Sequence, residues 1–148
     1  MTFRHIAESI GAIGHCYQAG MQGLGTDSIR IEIDNTRKLC GSINLDECLK
    51  RQYPDTNRWD YILCYNTKIH FIEVHPATTN EIATMLNKLQ WLKNWLKLIG
   101  KDLKNITHQS NPYHWIASGN VTILRNSPQA RKLSKSGLPF PVEKLSLK

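Results

Sequence analysis

This chain has little of three things: long hydrophobic runs, closely spaced cysteines, and acidic residues in its second half. No segment approaches the roughly 20 consecutive apolar residues that a membrane-spanning helix needs, so no membrane partner is expected. The stretch Met1-Thr2-Phe3-Arg4-His5-Ile6-Ala7-Glu8 has neither the apolar run nor the cleavage site of a secretory leader, and a cytoplasmic location is the expectation. Cys16, Cys40, Cys48 and Cys64 form no Cys-x-x-Cys pair, which argues against a zinc knuckle. The 148 residues suffice for one domain with a single core. Disulfides are possible but not needed at that size, and reduced, buried thiols are expected. There is no internal repeat, low-complexity segment, phosphate loop or His-x-x-x-His pair.

Charge of one sign dominates what is there. The formal net charge is +7, and beyond Glu81 only Asp102 and Glu143 stand against eleven lysines and arginines from Lys88 to Lys148. A strongly basic half points to a polyanion such as DNA or RNA.

Periodicity supplies the elements. Ile6, Ile10, Ile13, Tyr17 and Met21 predict a helix over 3–22 that stops at Gly23 and Gly25. Alternation of Ile29, Ile31 and Ile33 with polar residues predicts a half-buried strand. A short helix over 45–53 ends at Pro54. Residues 58–76 read as two β-branched and aromatic strands around Asn66-Thr67. Thr78 and Glu81 suggest a capping box for a long helix striped by Ile82, Met85, Leu86, Leu89, Leu92, Leu96 and Ile99, with Gly100 near its end. Residues 113–117 form a further strand. Ser127-Pro128 starts a last helix that Gly137 ends. The expected fold is α/β, a mixed sheet sandwiched by helices.

A turn centred on Asn66-Thr67 pairs Tyr65 with Lys68 and, by counting outward, sets Asp60 opposite Glu73. Opposed side chains share a face, and like charges there destabilise a sheet. Two carboxylates so placed suit a hard divalent cation, Mg²⁺ or Mn²⁺, which keeps waters and binds phosphate oxygens. Glu73 and His75 also share that face, and His75 is placed to ligate, orient a water or act as a base. The alternative is that Lys68 or Arg58 simply neutralises Glu73. Cys64 falls on the same face, where a thiol beside two acids resists ionisation and makes a poor nucleophile. His5, His15, His70, His108 and His114 read as surface or packing residues, with His70 on the other face of its strand. Trp91, Trp95 and Trp115 read as packing.

The order helix, hairpin with Asp60, strand with Glu73-Val74-His75, helix, strand resembles the PD-(D/E)xK nuclease superfamily, the restriction-endonuclease-like fold, over about residues 1–118. The thirteen-residue step from Asp60 to Glu73 resembles that of its Holliday-junction resolvases. The resemblance implies a core of α-β-β-β-α-β order, a metal held by Asp60 and Glu73, and a water-activating group at His75, where the family has Lys. Lys88 on the next helix is the other candidate for that lysine's role. Family members also carry a Glu on the first helix, for which Glu8 is the candidate, although its helical phase puts it on the solvent side. Gln90 resembles the position of a Gln in some members and is taken as a fourth catalytic candidate. Lys93, Lys97, Lys101 and Lys104 on one helix face, and Arg131 and Lys132 on the last helix, would track the phosphate backbone. The expectation is a Mg²⁺- or Mn²⁺-dependent nuclease acting on DNA or RNA, with a homodimer possible. A nuclease-fold module that has lost catalysis and only binds nucleic acid or a protein is the alternative.

Overall fold

The computed structural model describes residues 2–148. Its centre is a mixed sheet in the order β2-β3-β4-β5, made of β2 (Leu39–Asn44), β3 (Tyr61–Tyr65), β4 (Lys68–Thr78) and β5 (Tyr113–Thr122). β2, β3 and β4 are antiparallel neighbours, and β5 joins β4 in parallel. A parallel step needs a crossover, which α3 (Ile82–Ile99) and α4 (Lys101–Asn105) supply. Asn66 and Thr67 sit at φ 51° and 63°, as a two-residue type I′ hairpin turn requires. A β-branched threonine seldom adopts that conformation. Tyr65 pairs with Lys68 and Tyr61 with Ile72, the register counted from the sequence.

Side chains alternate across the sheet, so each strand feeds two cores. On one face Ile62, Ile69, Phe71 and Trp115 pack under α1 (Phe3–Ser9), α2 (Leu45–Leu49), α3 and α5 (Pro128–Lys135). On the other, Leu63, Ile72 and Ile116 pack under Leu24 of a 3₁₀ segment, Gln22–Arg30, and under β1 (Ile31–Ile33) and β6 (Leu145–Leu147). β1 and β6 form a separate parallel ladder. The fold is therefore mixed α/β, with a mixed sheet flanked by helices.

Several expectations need correction. The first helix ends at Ser9, and the chain continues through a 3₁₀ turn, Gly14–Cys16. A Cβ on Gly14 would stand 3.0 Å from the Glu8 carbonyl oxygen, so the chain doubles back there. Ile13 still reaches the core, which preserves the apolar spacing without the helix. Ile29 is 77% exposed because the 3₁₀ segment runs to Arg30 and the strand starts only at Ile31. Glu81 makes no capping box: the Thr78 side chain caps nothing, and Thr79–Glu81 is a 3₁₀ turn before α3. Ser127 does cap α5, accepting from the Ala130 N–H, with Pro128 in the first turn.

The cysteines are paired rather than reduced, as Cys16–Cys48 and Cys40–Cys64. Cys40 lies on β2, a strand with Gly41 and Ser42 at its middle and no alternation to announce it. Once β2 pairs with β3, Cys40 adjoins Cys64. Cross-links spanning 32 and 24 residues restrict the unfolded chain, worth about 3.5 kcal/mol each on the chain-entropy account. No helix among the described residues is long and apolar enough to cross a membrane. Paired cysteines run against the cytoplasmic expectation, since disulfides persist in oxidising surroundings.

Candidate active site

Beyond the last ladder pair of β3 and β4, the chain continues the register through two side chains. The Asp60 N–H donates to Glu73 Oε1 at 3.0 Å, and the Val74 N–H donates to Asp60 Oδ2 at 3.0 Å. Each carboxylate thus accepts from the other strand's backbone, which fixes both at one end of the helix-covered face. Glu73 is 1% exposed. Burial first, and the Glu73 charge second, push the Asp60 carboxyl up to about 7 against the opposing pull of Lys88 and the Val74 N–H.

The positive group demanded by two neighbouring acids comes from α3. Lys88 Nζ donates to Glu73 Oε2 at 2.7 Å and to the Arg58 carbonyl at 3.1 Å. Lys88 stands on the same helical face as Met85 and Leu92, both buried, so its stem lies among apolar side chains and its ammonium reaches the acid. A lysine inside an apolar stripe is the sequence signal that marks it. Arg58 does not neutralise Glu73. It pairs with Asp46 at 2.9 Å and also binds the carbonyls of Tyr53 and Pro54.

His75 completes the cluster. Its Nδ1 lies 3.5 Å from Glu73 Oε2 and its Nε2 lies 2.9 Å from Glu81 Oε2. Glu73, with Glu81 adding to it, holds the imidazole above its ordinary value, against partial burial. The Trp115 indole N–H donates to the His75 carbonyl at 3.1 Å and anchors this end of β4 to β5.

The structure therefore brings Asp60, Glu73, His75 and Lys88 together, and leaves Gln90 out. Gln90 is exposed, donates to Asn94 at 2.9 Å, and borders a shallow cleft with Lys93, Lys97, Lys104 and Tyr113. Two residues past Lys88 on a helix, it points well away from the acids. Glu8 is exposed and pairs with Arg4 at 2.7 Å. Cys64 cannot be a nucleophile while bonded to Cys40. Lys93 lies over the Tyr113 ring at 5.5 Å, and Lys97 and Lys101 are exposed. Arg131 and Lys132 are exposed on α5, which packs beside Thr79–Glu81 and α3. Among the described residues none of these five cations has a carboxylate partner.

The chain matches no protein-family model, no curated protein and no solved structure. Function must be argued from the cluster itself. As a metal centre, Asp60 and Glu73 offer the hard oxygen donors of a site that binds Mg²⁺ or Mn²⁺ through one or two carboxylates and retains waters. Asp60, Glu73 and His75 do not form a closed ligand set. Among the described residues only His15, Cys16 and Cys48 bring three ligand atoms within 4.8 Å of one another, and those sulfurs are bonded together.

Proposed function

We propose that the protein is a divalent-metal-dependent nuclease of the restriction-endonuclease-like type, with its site at Asp60, Glu73, His75 and Lys88. The observation that carries this reading is the buried Glu73, tied through main-chain hydrogen bonds to a second carboxylate whose proton affinity is raised. Two acids that repel each other out of water gain from a cation beside them. The central sheet supports this reading in part: α1 precedes three antiparallel strands, β2-β3-β4, and α3 and α4 lead to parallel β5, although the expected first strand, at Ile31–Ile33, pairs with β6 outside that sheet and β2 takes its place.

Asp60 and Glu73 would hold Mg²⁺ or Mn²⁺, which when bound ionises a water and stabilises charge on a phosphodiester. Lys88 fixes the Glu73 carboxylate and adds one positive charge at the scissile position. His75, oriented by Glu81 and favoured in its protonated form, suits donation of a proton or hydrogen bond to a phosphate or leaving oxygen better than water activation. Lys93, Lys97, Lys101, Arg131 and Lys132, all without acidic partners, would bind the DNA or RNA backbone with strong salt dependence. The two disulfides favour an oxidising compartment for this activity.

A second reading is a nuclease-fold module that binds without cutting. It is favoured by Lys88, whose ammonium already neutralises Glu73. One experiment separates the two: incubation with single- and double-stranded DNA and RNA in Mg²⁺ or Mn²⁺, beside an Asp60→Ala/Glu73→Ala double variant. Cleavage by the wild type, abolished in the variant and by chelator, is expected. Cleavage that survives in the variant overturns the site. No cleavage, no Mn²⁺-dependent rise in melting temperature and salt-sensitive binding would establish the module instead.

A further inference from the structure

On the face of β4 away from the acids, three histidines gather at a cleft. His70 and His114 are 5% and 6% exposed, and His70 Nδ1 lies 2.9 Å from His114 Nε2. The His70 ring centroid is 5.1 Å from that of His114 and 4.9 Å from that of half-buried His108. The cleft they line holds about 590 Å³ between the Asn66-Thr67 turn, the loop carrying His108 and Asn111, and β6. We infer that this cleft is a binding site for a phosphorylated small molecule, separate from the carboxylate cluster and independent of its activity.

The lining carries the argument. Lys68 and Lys148 stand at its rim, Asn66 and Asn111 add neutral polar groups, and neither Asp nor Glu lines it, while the Ser146 hydroxyl on the β6 side donates to Glu32 Oε2 at 3.2 Å. A cavity of this polarity selects an anion. Its volume falls within the roughly 300–1,000 Å³ of small-molecule sites, larger than a lone phosphate fills. His108 Nδ1 accepts the Asn111 N–H at 3.2 Å, which leaves its proton on Nε2, a donor free for a ligand. The buried pair is neutral: burial first, then neighbouring imidazoles, push His70 down to about 3 and His114 to about 4. Neutral rings contribute a donor and a stacking surface, while Lys68 supplies the charge. Phenolic Tyr65 also lines the cleft, and its hydroxyl is engaged as acceptor of the Asn35 N–H at 3.1 Å. Three imidazoles would also attract a transition metal, but their nitrogens do not converge, being absent from the groups with ligand atoms within 4.8 Å of one another.

The test is a titration of the intact protein followed by the imidazole NMR signals of His70, His108 and His114. Adenosine monophosphate, adenosine, inorganic phosphate and Zn²⁺ are the probes. Saturable shifts with adenosine monophosphate, competition by inorganic phosphate, and none with adenosine are expected. Lys68→Ala, a rim change that leaves the core intact, should weaken adenosine monophosphate about tenfold, and His108→Ala by a similar factor. No saturation by about 10 mM, equal response to adenosine, or indifference to Lys68→Ala overturns the proposal. Zn²⁺ shifting these signals where phosphates do not would replace it with a metal site.

Discussion

On the helix-covered face of β4, Glu73 is 1% exposed and sits among charges: Lys88 at 2.7 Å, His75 at 3.5 Å, and Asp60 joined through the backbone. On the opposite face His70 and His114 are nearly as buried, yet no counter-charge lies against them, and burial pushes both far below their ordinary value. One strand thus buries ionisable groups in two ways. Where an opposite charge reaches in from a packed helix, ion pairs form at Glu73 and His75, although burial still pushes the Asp60 carboxyl up. Where like groups meet without one, they give up their charge. The first arrangement keeps charge available for chemistry, and the second leaves hydrogen-bonding edges without charge. The same contrast suits a reacting site on one face and a recognition cleft on the other.

The most forceful way to break this comparison is to remove the counter-charge. Lys88→Met keeps the apolar stem and leaves Glu73 buried without its ammonium, a change expected to cost about 3–5 kcal/mol in urea unfolding. Lys97→Met, on an exposed lysine of the same helix, should stay within about 0.5 kcal/mol. Equal losses in the two variants would mean that Glu73 does not depend on Lys88.

The next effect separates the two faces by pH. Asp60 keeps its proton in the folded state to about 7, against an ordinary 3.8. Its contribution is therefore full below about pH 4 and lost as pH rises through 7. His70 and His114 fall to about 3 and 4 from 6.5. Their contribution is intact above 6.5 and lost as pH falls through 4 and 3. Between pH 4 and 6.5 the two faces pull in opposite directions. Asp60→Asn still accepts the Val74 N–H and removes the repulsion with Glu73. It should raise stability at pH 8 by about 1–2 kcal/mol and make the remaining profile climb more steeply from pH 4 to 6.5. Urea unfolding across that window checks this, and a profile unchanged from wild type would sink it.

What the sequence made legible follows from short-range periodicity. The hairpin register rests on Asn66-Thr67 and a strict period of two, so the meeting of Asp60 with Glu73 could be counted. The stripe of α3 and the Ser127-Pro128 start of α5 were likewise local. β2 was not legible because Gly41 sits at φ 119° with the Tyr17 ring where a Cβ would be, a packing reason absent from any pattern. Missing β2 hid the Cys40–Cys64 pair as well. Likeness of position points to Gln90, whereas helical phase gives that place to Lys88. His75 is legible as a neighbour of Glu73, but its spacing from Thr78 points Glu81 to a helix cap, and only the 3₁₀ turn at Thr79–Glu81 aims it at the imidazole.

That His75–Glu81 contact offers the finest sharpening. The pair is partly solvated, with side chains 17% and 35% exposed, so its worth in stability is under about 1 kcal/mol. Its effect on charge is the better readout. Glu81→Gln removes one of the two carboxylates that favour the imidazolium, so the His75 titration should move down toward its ordinary value while remaining supported by Glu73. An NMR pH titration that resolves the imidazole signals measures this directly. His70 and His114 serve as internal references: they project from the opposite face of the sheet and take their depressed values from burial and then from neighbouring imidazoles, His114 and His108 for His70 and His108 for His114, so they should not move. If all three shift together, the two faces are electrostatically one site and the division drawn across β4 fails. If His75 alone shifts, Glu81 tunes the only histidine of the carboxylate cluster, and the charged face can be adjusted without disturbing the neutral one.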